Sequence, residues 1–280
     1  MKTKIISLLS FALVSSRIFA AESANKSQYT LWNPTPRDLM REMSTDRPDK
    51  TESPYTVDAG HFQIETDIVN YSRDRKSGTR SDSWSFLNSN FKVGLCNNTD
   101  LQVVVPTYSS VRTRSGGKTE RDSGFGDLVT RLKVNFWGND GGKTAFGVMP
   151  FVKFPTAQDD LGNDAFEGGI IFPLAVELPK GWGMGAMIEF DFAEDADGSG
   201  HHPEFINTIT LGHDIVGNLA GYVEFFSLVS TDKDSDWIGT FDMGLTYALT
   251  DDIQLDGGVN IGVTRSADDV NPFLGISWRF

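Results

Sequence analysis

From Gly60 to Phe280, apolar and polar residues alternate with a period of two in a series of short segments. Successive side chains of a β-strand point to opposite faces, so this alternation predicts strands with one apolar and one polar face. Turn residues, mainly Gly, Asn, Asp and Pro, separate the segments. We predict twelve strands, at 61–71, 84–95, 101–112, 126–137, 144–155, 168–178, 182–193, 204–214, 219–229, 238–249, 253–264 and 272–280.

The connections between these strands alternate in length. Tight turns are predicted at 96–100, 138–142, 179–181, 216–218 and 250–252. Longer, charged connections are predicted between them, at 72–83, 113–124, 156–167, 194–203, 230–237 and 265–271. Short turns at one end, long loops at the other and an even number of strands are typical of outer-membrane β-barrels. A soluble sandwich has no reason to separate its loops by length.

The two faces of four well-patterned strands, at 184–192, 237–249, 253–263 and 274–280, indicate what surrounds them. Their apolar faces hold no charged residue, although 22% of the whole chain is charged. Their opposite faces contain Glu, Asp and Arg, which a dry core does not accept without partners. Polar residues inside and apolar residues outside invert a soluble protein. The predicted fold is all-β, a transmembrane antiparallel up-and-down β-barrel.

The segment 271–280 completes this pattern, because Leu274, Ile276, Trp278 and Phe280 share one face. A raw sheet edge here would be an aggregation hazard in water. We therefore expect this strand to close the barrel by pairing with the first strand. Taken by itself, the segment fits the last strand of a soluble sandwich equally well. Aromatic residues at strand ends are candidates for interfacial girdles, namely Tyr71, Trp84, Trp137, Trp182, Trp237, Tyr247 and Trp278.

Residues 1–20 have the pattern of a secretory signal peptide, with Lys2 and Lys4 before an apolar stretch. No run approaches the roughly 18 apolar residues that a membrane helix needs. The single Cys96 excludes an internal disulfide framework. The net charge of −13 becomes −16 when the three bases of residues 1–20 are removed. This acidity argues against nucleic acid as a partner.

Residues 21–59 form a polar, proline-containing leader that has no strand periodicity. A short helix is predicted in it, with Thr35 as the cap, Pro36 at the first helical position and Asp38 completing a capping box. The segment 44–55 carries two prolines and five charges, so it cannot enter a central ladder. It is expected to be extended, either outside the sheet or in the barrel mouth. The predicted domains are a signal peptide (1–20), a periplasmic leader and candidate plug (21–59) and the barrel (60–280).

Several motifs carry a resemblance to a known family. They are Asp46-Arg47-Pro48-Asp49 with the residues up to Pro54, the run from Gly60 to Glu65, 91–95, 124–128 and 151–156. With the closing strand, they make the sequence similar to the outer-membrane transporters named for the meta-cleavage pathway of phenol degradation, over roughly residues 44–280. The resemblance implies a barrel with a transport role, and it does not identify phenol as a ligand. The closing strand also resembles the signal that the barrel assembly machinery reads.

The interior of the barrel is the predicted site of function. Its eight acids and five bases suggest a water-filled path with a mild preference for cations. The alternative is that these charges pair across a narrow, blocked interior. Asp46, Arg47 and Asp49 of the leader are candidate plug residues, Arg47 through barrel-wall carboxylates. The candidate lumen residues are Glu65, Asp67, Lys92, Asp127, Arg131, Lys133, Lys153, Glu189, Asp191, Glu224, Asp242, Asp256 and Arg279.

The sequence offers little chemistry for catalysis or metal binding. None of the four His is placed with a Ser in a nucleophile motif such as Gly-x-Ser-x-Gly. An outer-membrane hydrolase would need a Ser–His pair at the barrel wall, which stays the third alternative. Asp195 to Gly200 begins like a calcium loop, but Ile206 stands where the loop needs Glu. We predict no catalytic residue, no metal site and no cofactor.

The predicted function is passive passage of small molecules through the outer membrane of a Gram-negative cell, with aromatic or hydrophobic compounds among the candidates. The predicted partners are outer-membrane lipid, the barrel assembly machinery through the C-terminal strand, and small solutes. The alternative is a closed structural or surface-interaction barrel without transport. Conductance separates the two, because a channel leaks solutes and a filled barrel does not.

Overall fold

The computed structural model describes residues 25–158, 161–233 and 235–280. The predicted signal peptide lies outside the described residues. In the described part of the chain, no helix is long and apolar enough to cross a membrane. The strands are β1 (Phe62–Lys76), β2 (Thr79–Cys96), β3 (Thr99–Ser115), β4 (Lys118–Gly124), β5 (Leu128–Trp137), β6 (Thr144–Phe154), β7 (Glu167–Glu177), β8 (Trp182–Glu194), β9 (His201–Val216), β10 (Leu219–Ser230), β11 (Ile238–Thr250), β12 (Ile253–Gly262) and β13 (Val270–Arg279).

Each strand pairs antiparallel with its neighbour in sequence, except that β4 and β5 both pair with β3, and β1 also pairs with β13. The seam runs from Gln63 opposite Arg279 to Arg73 opposite Val270, and Phe62 and Phe280 exchange two backbone hydrogen bonds. β4 and β5 occupy one position in the barrel, because both pair with β3, β4 near its far end and β5 near its start. The prediction of a closed barrel with twelve strand positions is therefore confirmed, with one position split in two.

Two of the predicted long connections are wrong. The segments 72–83 and 113–124 continue the ladder as tall hairpins that end in the two-residue turns Ser77-Gly78 and Gly116-Gly117. All four turn residues have positive φ, as the tight hairpin turns that match strand twist require. Outside the membrane both faces of a strand contact water. The alternation of apolar and polar residues is therefore lost there, although the strands remain paired. We call this end of the barrel the hairpin end and the opposite one the turn end.

The outer face is apolar and exposed, and the buried residues are mostly polar. Phe241, Met243, Ile261 and Leu274 are exposed, whereas Gln102, Lys133, Asp242 and Ser277 are almost completely buried. Near the hairpin end, the rings of Tyr71, Trp84, Phe86 and Tyr108 contact one another in a row across three strands. This inverted arrangement is stable only where the outer face meets hydrocarbon.

The interior is less uniformly polar than the sequence predicts. Met149, Ile171, Met187 and Ile206 form a buried apolar strip across β6 to β9, and Phe151, Phe226 and Leu228 pack against it. The sequence does not reveal this strip by contrast of faces, because β6 and β7 carry apolar residues on both sides. We refer to these seven residues as the interior apolar strip.

The predicted helix of the leader is reduced to a single 3-10 turn, Arg37–Leu39, which follows Pro36 and has no side-chain cap. The predicted capping by Thr35 and Asp38 is wrong. Met40 is already extended, and the backbone N–H of Arg41 donates to Asp58 at 3.0 Å. This bond to another part of the leader replaces the bonds that would continue a helix.

Candidate functional site: the charged interior and the leader

Residues 45–57 of the leader, here called the inner segment, lie inside the barrel. Side chains of the wall satisfy their backbone groups. Glu224 accepts from the N–H groups of Lys50 (2.9 Å) and Thr51 (2.8 Å), and Asp100 accepts from that of Val57 at 2.9 Å. A segment with two prolines cannot join a ladder, so wall side chains take the place of a neighbouring strand. The sequence left open whether this segment lies outside the sheet or in the barrel mouth.

The carboxylate of Asp46 forms the first anchor of the inner segment. It pairs with Lys133 at 2.5 Å and with Lys92, which also pairs with Glu65. The side chains of all four residues are almost completely buried. Glu65 also accepts from the backbone N–H of Asp46 at 2.9 Å. The arrangement joins β1, β2 and β5 to one residue of the leader, so Asp46 cannot leave without exposing buried ammonium groups.

The guanidinium group of Arg47 forms the second anchor and spans the seam of the barrel. It pairs with Asp67 of β1 at 2.6 Å and with Asp256 of β12 at 2.7 Å. Between these strands it crosses β13 at Gly275, where a Cβ atom would lie 2.1 Å from the Arg47 side chain. Glycine is needed there because any larger residue would displace the guanidinium group.

Lys50, Thr51 and Glu52 form the third group of contacts. The Lys50 ammonium lies 3.2 Å from Asp242 and 4.3 Å from the centre of the Phe226 ring. The Thr51 hydroxyl lies 2.6 Å both from Thr208 Oγ1 and from the carboxylate of Glu224, which is 1% exposed. Glu52 pairs with Arg131 at 2.6 Å, and its backbone N–H points to the sulfur of Met187.

The remaining predicted lumen residues form no hydrogen bond or ion pair with the inner segment among the described residues. Asp127, in the break between β4 and β5, accepts from the N–H groups of Thr156 and Ala157 at 2.8 and 2.9 Å and so holds a loop. Lys153 pairs with Glu167. At the turn end, Arg279 pairs with Asp252 at 2.8 Å.

Glu189 and Asp191 differ from the other predicted residues, because they form an acidic pair on β8 next to the interior apolar strip. One carboxylate oxygen of Asp191 is buried and has no hydrogen-bond partner among the described residues. The structure therefore brings Glu65, Asp67, Lys92, Arg131, Lys133, Glu224, Asp242 and Asp256 together around the inner segment, and places Asp127, Lys153, Glu189, Asp191 and Arg279 elsewhere on the wall.

Two acids of the inner segment have opposite pKa shifts. Burial alone would raise the pKa of Asp46, but the ammonium groups of Lys133 and Lys92 hold it well below its usual range. Burial raises the pKa of Asp49 well above its usual range, and the carboxylate of Glu224 reinforces this effect. Asp46 is therefore held as a carboxylate, whereas Asp49 favours the neutral acid.

The pKa of Asp49 predicts that docking of the inner segment depends on pH. A raised pKa in the docked state means that the contribution of Asp49 to docking is fully present below the ordinary Asp pKa of about 3.9 and is lost as the pH rises toward the docked value. The Asp49→Asn variant imitates the neutral acid and is expected to lose this dependence. Hydrogen–deuterium protection factors of the Lys50 and Thr51 amides, corrected for intrinsic exchange, measure docking. Equal pH slopes in wild type and variant would contradict the assignment.

Sequence reasoning missed several residues that hold the leader. Lys50 and Glu52 belong to the same charged run as Asp46 and Arg47, so the alternation of signs from 46 to 52 was the available signal. Asp58 and Asp100 were also missed. Asp58 pairs with Arg41 at 3.1 Å, and Asp100 bonds to the leader backbone. No local sequence pattern identifies Asp58 or Asp100, because each contacts a residue that is far from it in the sequence.

The inner segment separates cavities at the two ends of the barrel. At the turn end, cavities of about 740 Å³ and 540 Å³ are both lined by residues 40–43 of the leader. On the other side, a cavity of about 250 Å³ is lined by Lys50, Phe226 and Thr240, among other residues. Tyr55 and Thr56 of the inner segment line the 540 Å³ cavity, and Lys50 lines the smaller one.

One loop cluster brings together possible metal ligands. Asp195, His202 and Asp232 have ligand atoms within 4.8 Å of one another, and the Nδ1 of His202 lies 3.1 Å from Asp195. The sequence singled out Asp195 without joining it to His202 and Asp232. Hydrogen bonds within the loops account for the arrangement, and the absence of a metal site stays a prediction.

Comparisons with known proteins agree with this architecture. The family model described as "Putative MetA-pathway of phenol degradation" matches residues 45–280, which include the inner segment. The structure is similar to the COG4313 outer membrane channel from Pseudomonas putida F1, with a TM-score of 0.62 and 12% identity over 85% of this chain and 100% of that chain. It is also similar to the NanC porin, with a TM-score of 0.50 and 10% identity over 78% of this chain and 98% of that one. No curated protein matches the chain.

At these identities the two solved structures establish the fold, and the family model establishes the relationship. The apolar outer face, the polar interior and the closed seam place the protein in the outer membrane, as the sequence predicted. We expect the turn end to be periplasmic and the hairpin end extracellular, because the short turns of such barrels typically face the periplasm. The chain belongs to the outer-membrane barrel family described as "Putative MetA-pathway of phenol degradation".

Proposed function

We propose that the protein is a channel for passive passage of small molecules and that the inner segment is its displaceable gate. One observation carries the proposal: the segment inside the barrel is held to the wall by ion pairs and hydrogen bonds. Such contacts can be exchanged for water and salt ions once the interior hydrates, unlike an apolar core. Buried ion pairs also add little net stability, because desolvation of the charges offsets their attraction.

The interior apolar strip supports solutes that have an apolar or aromatic part. It lies beside Glu189 and Asp191, and Phe226 of the strip faces the ammonium of Lys50. An apolar wall with a few placed charges is the usual composition of a site for a small organic molecule. The acids of the wall outnumber its bases, so we propose a mild preference for cations once the gate is displaced.

We propose further that the exposed apolar face contacts outer-membrane lipid and that β13 presents the signal read by the barrel assembly machinery. Residues 1–20 act as a cleaved signal peptide in this proposal, and residues 21–59 as the periplasmic leader. The protein acts by selective passage and does not catalyse a reaction. The COG4313 neighbour is named as an outer membrane channel, which supports this proposal.

A disulfide between the gate and the wall tests the proposal. The Oγ1 atoms of Thr51 and Thr208 are 2.6 Å apart, so the Thr51→Cys/Thr208→Cys protein, in a Cys96→Ser background, can be locked by oxidation. Liposomes containing it are expected to swell in L-phenylalanine, and more slowly in glucose, when the disulfide is reduced, and in neither solute when it is oxidised. The two single-cysteine proteins serve as controls, and their swelling rates should not change with oxidation.

A second candidate function is a closed barrel that serves structure or surface contact. The separation of the cavities by the inner segment favours it. The same experiment distinguishes the two functions. Swelling in neither redox state contradicts the channel and supports the closed barrel. Equal swelling in both states contradicts the gate, because solutes would then pass around a locked segment.

A further inference from the structure

Six arginines lie on one face of the two tall hairpins, above the row of aromatic rings. Cross-strand partners share a face, so the register places them together: Arg75 opposite Arg80, Arg80 opposite Arg114, and Arg112 opposite Arg121. Arg73 joins them, because it is opposite Asp82, which is in turn opposite Arg112. We call the six residues the arginine face: Arg73, Arg75, Arg80, Arg112, Arg114 and Arg121.

The same register shows that this face points away from the interior. Tyr71 is opposite Trp84. Tyr71 precedes Arg73 by two residues and Trp84 follows Asp82 by two residues, so all four side chains share one face. Trp84 and Phe86 are exposed on the outer, lipid-facing side of the barrel, and the rings of Tyr71 and Trp84 are 4.5 Å apart. The arginine face therefore continues the outer surface directly above an aromatic belt, which marks the level of the membrane interface.

The heights of the arginines match the headgroup layer. Two residues along a strand that is tilted by about 40° rise roughly 5 Å, and four residues roughly 10 Å. Arg73, Arg112 and Arg121 thus stand about 5 Å above the aromatic row, and Arg75, Arg80 and Arg114 about 10 Å above it. The guanidinium group of Arg73 also lies 5.5 Å from the centre of the Tyr71 ring, which orients it at the belt.

Acidic side chains of the protein neutralise this face only in part. Asp82 accepts from Arg73 at 3.1 Å and from Arg80 at 2.7 Å, and Arg75 pairs with Asp269 at 2.8 Å. Among the described residues, Arg112, Arg114 and Arg121 form no ion pair, and the Nε of Arg112 is buried without a hydrogen-bond partner. Like charges directly opposite each other across a ladder are destabilising, yet this face has three such pairs. An external anion would remove that repulsion.

The rest of the molecule has the opposite charge, so general basicity does not explain the arginine face. The full chain has a net charge of −13. Arginine matches phosphate oxygens with paired N–H groups, which makes it the preferred side chain for phosphate recognition. In the outer leaflet of an outer membrane, phosphate groups at this depth belong to the phosphorylated glycolipid, lipopolysaccharide.

We propose that the arginine face is a binding site for the phosphate groups of the outer-leaflet glycolipid, with the aromatic row contacting its acyl chains. Arg112 and Arg121 bind the phosphate nearest the membrane, and Arg114 and Arg80 contact the phosphorylated sugars above it. The site fixes the barrel to the outer leaflet on one side, at the strands that project furthest.

Binding of bisphosphorylated lipid A to the purified whole barrel in a neutral detergent tests the proposal, with dephosphorylated lipid A as the comparison probe. Retained lipid is counted by native mass spectrometry, and dissociation constants come from titration. Wild type is expected to bind the phosphorylated lipid at least about tenfold more tightly, and Arg112→Gln/Arg121→Gln to lose about tenfold or more. Lys233→Gln/Arg265→Gln, which removes the same charge from other extracellular loops, should stay within about twofold of wild type.

Thermal unfolding separates binding from a structural role. Without lipid, Arg112→Gln/Arg121→Gln should unfold at the wild-type temperature or above it, because the change removes a repulsive pair. Lipid A should raise the unfolding temperature of wild type and not that of the variant. Equal retention of both lipids, unchanged binding by the variant, or an equal loss in the control variant would overturn the proposal. So would full competition by inorganic phosphate at the concentration of the lipid, which would indicate a site for free anions.

Discussion

Asp46→Asn is expected to release the inner segment and make the barrel conduct more than wild type. Among the described residues, Asp46 is the carboxylate that pairs with both Lys92 and Lys133, and all three groups are buried. Loss of one partner from a buried pair costs about 3–5 kcal/mol, which corresponds to a shift of the docking equilibrium of about a hundredfold or more. Lys92 and Lys133, which lose their carboxylate partner, become hydrated when the inner segment leaves the lumen. The change therefore favours undocking of the segment over unfolding of the barrel. Conductance in planar bilayers should rise accordingly.

Asp49→Asn is the matched control for this prediction. It makes the same chemical change three residues away, at an acid that favours its neutral form when docked, so docking at neutral pH should be at least as strong as in wild type and the conductance should not rise. Trypsin cleavage after Lys50 gives a second readout, because only an undocked segment reaches the protease. If Asp46→Asn leaves both the conductance and the cleavage rate unchanged, the Asp46 anchor does not hold the gate.

Met243→Arg should be the most damaging single change on the outer face. Met243 is 38% exposed and lies near the middle of β11, between the aromatic Trp237 and the turn at 250–252. Its outward neighbours across the ladder are Val223 and Val259. Arginine near the middle of the bilayer costs a transmembrane barrel about 2–4 kcal/mol. Reversible unfolding in lipid vesicles with a denaturant titration measures this loss.

Leu249→Arg controls for the effect of the arginine itself. Leu249 shares the face and strand of Met243 but lies at the periplasmic end, where the same change costs about 0–1 kcal/mol. Equal losses at the two positions would contradict the membrane depth that the fold implies. A gain of stability at Met243→Arg would indicate that this face is wet.

The barrel could be predicted from the sequence because lipid outside and water inside impose opposite demands on alternate residues. That constraint is strongest where a strand is in the bilayer, which explains why β8, β11, β12 and β13 were found. The constraint vanishes above the membrane, so the pattern predicts loops at 72–83 and 113–124, where the structure has tall hairpins. The alternation of apolar and polar residues does not predict the split between β4 and β5, because only the three residues 125–127 separate the two strands.

The contents of the interior were predictable only in part. Charged residues on the polar faces were identifiable by parity, which gave Glu65, Lys92, Lys133, Glu224, Asp242 and Asp256. Their partners on the leader cannot be predicted from the sequence, because the pairing depends on how the leader passes through the barrel. The interior apolar strip was also hidden, because Met187 and Ile206 lie among polar positions of their strands.

The bridge from Arg47 to Asp67 and Asp256 joins the first strand to the twelfth across Gly275 of the thirteenth. Whatever loosens the seam between β1 and β13 must therefore weaken this bridge, and by reciprocity a ligand that displaces Arg47 weakens the seam by the same free energy. Lateral opening of the wall and displacement of the leader are therefore thermodynamically coupled. A bulky solute that displaces the leader would make the wall easiest to deform at the seam between β1 and β13.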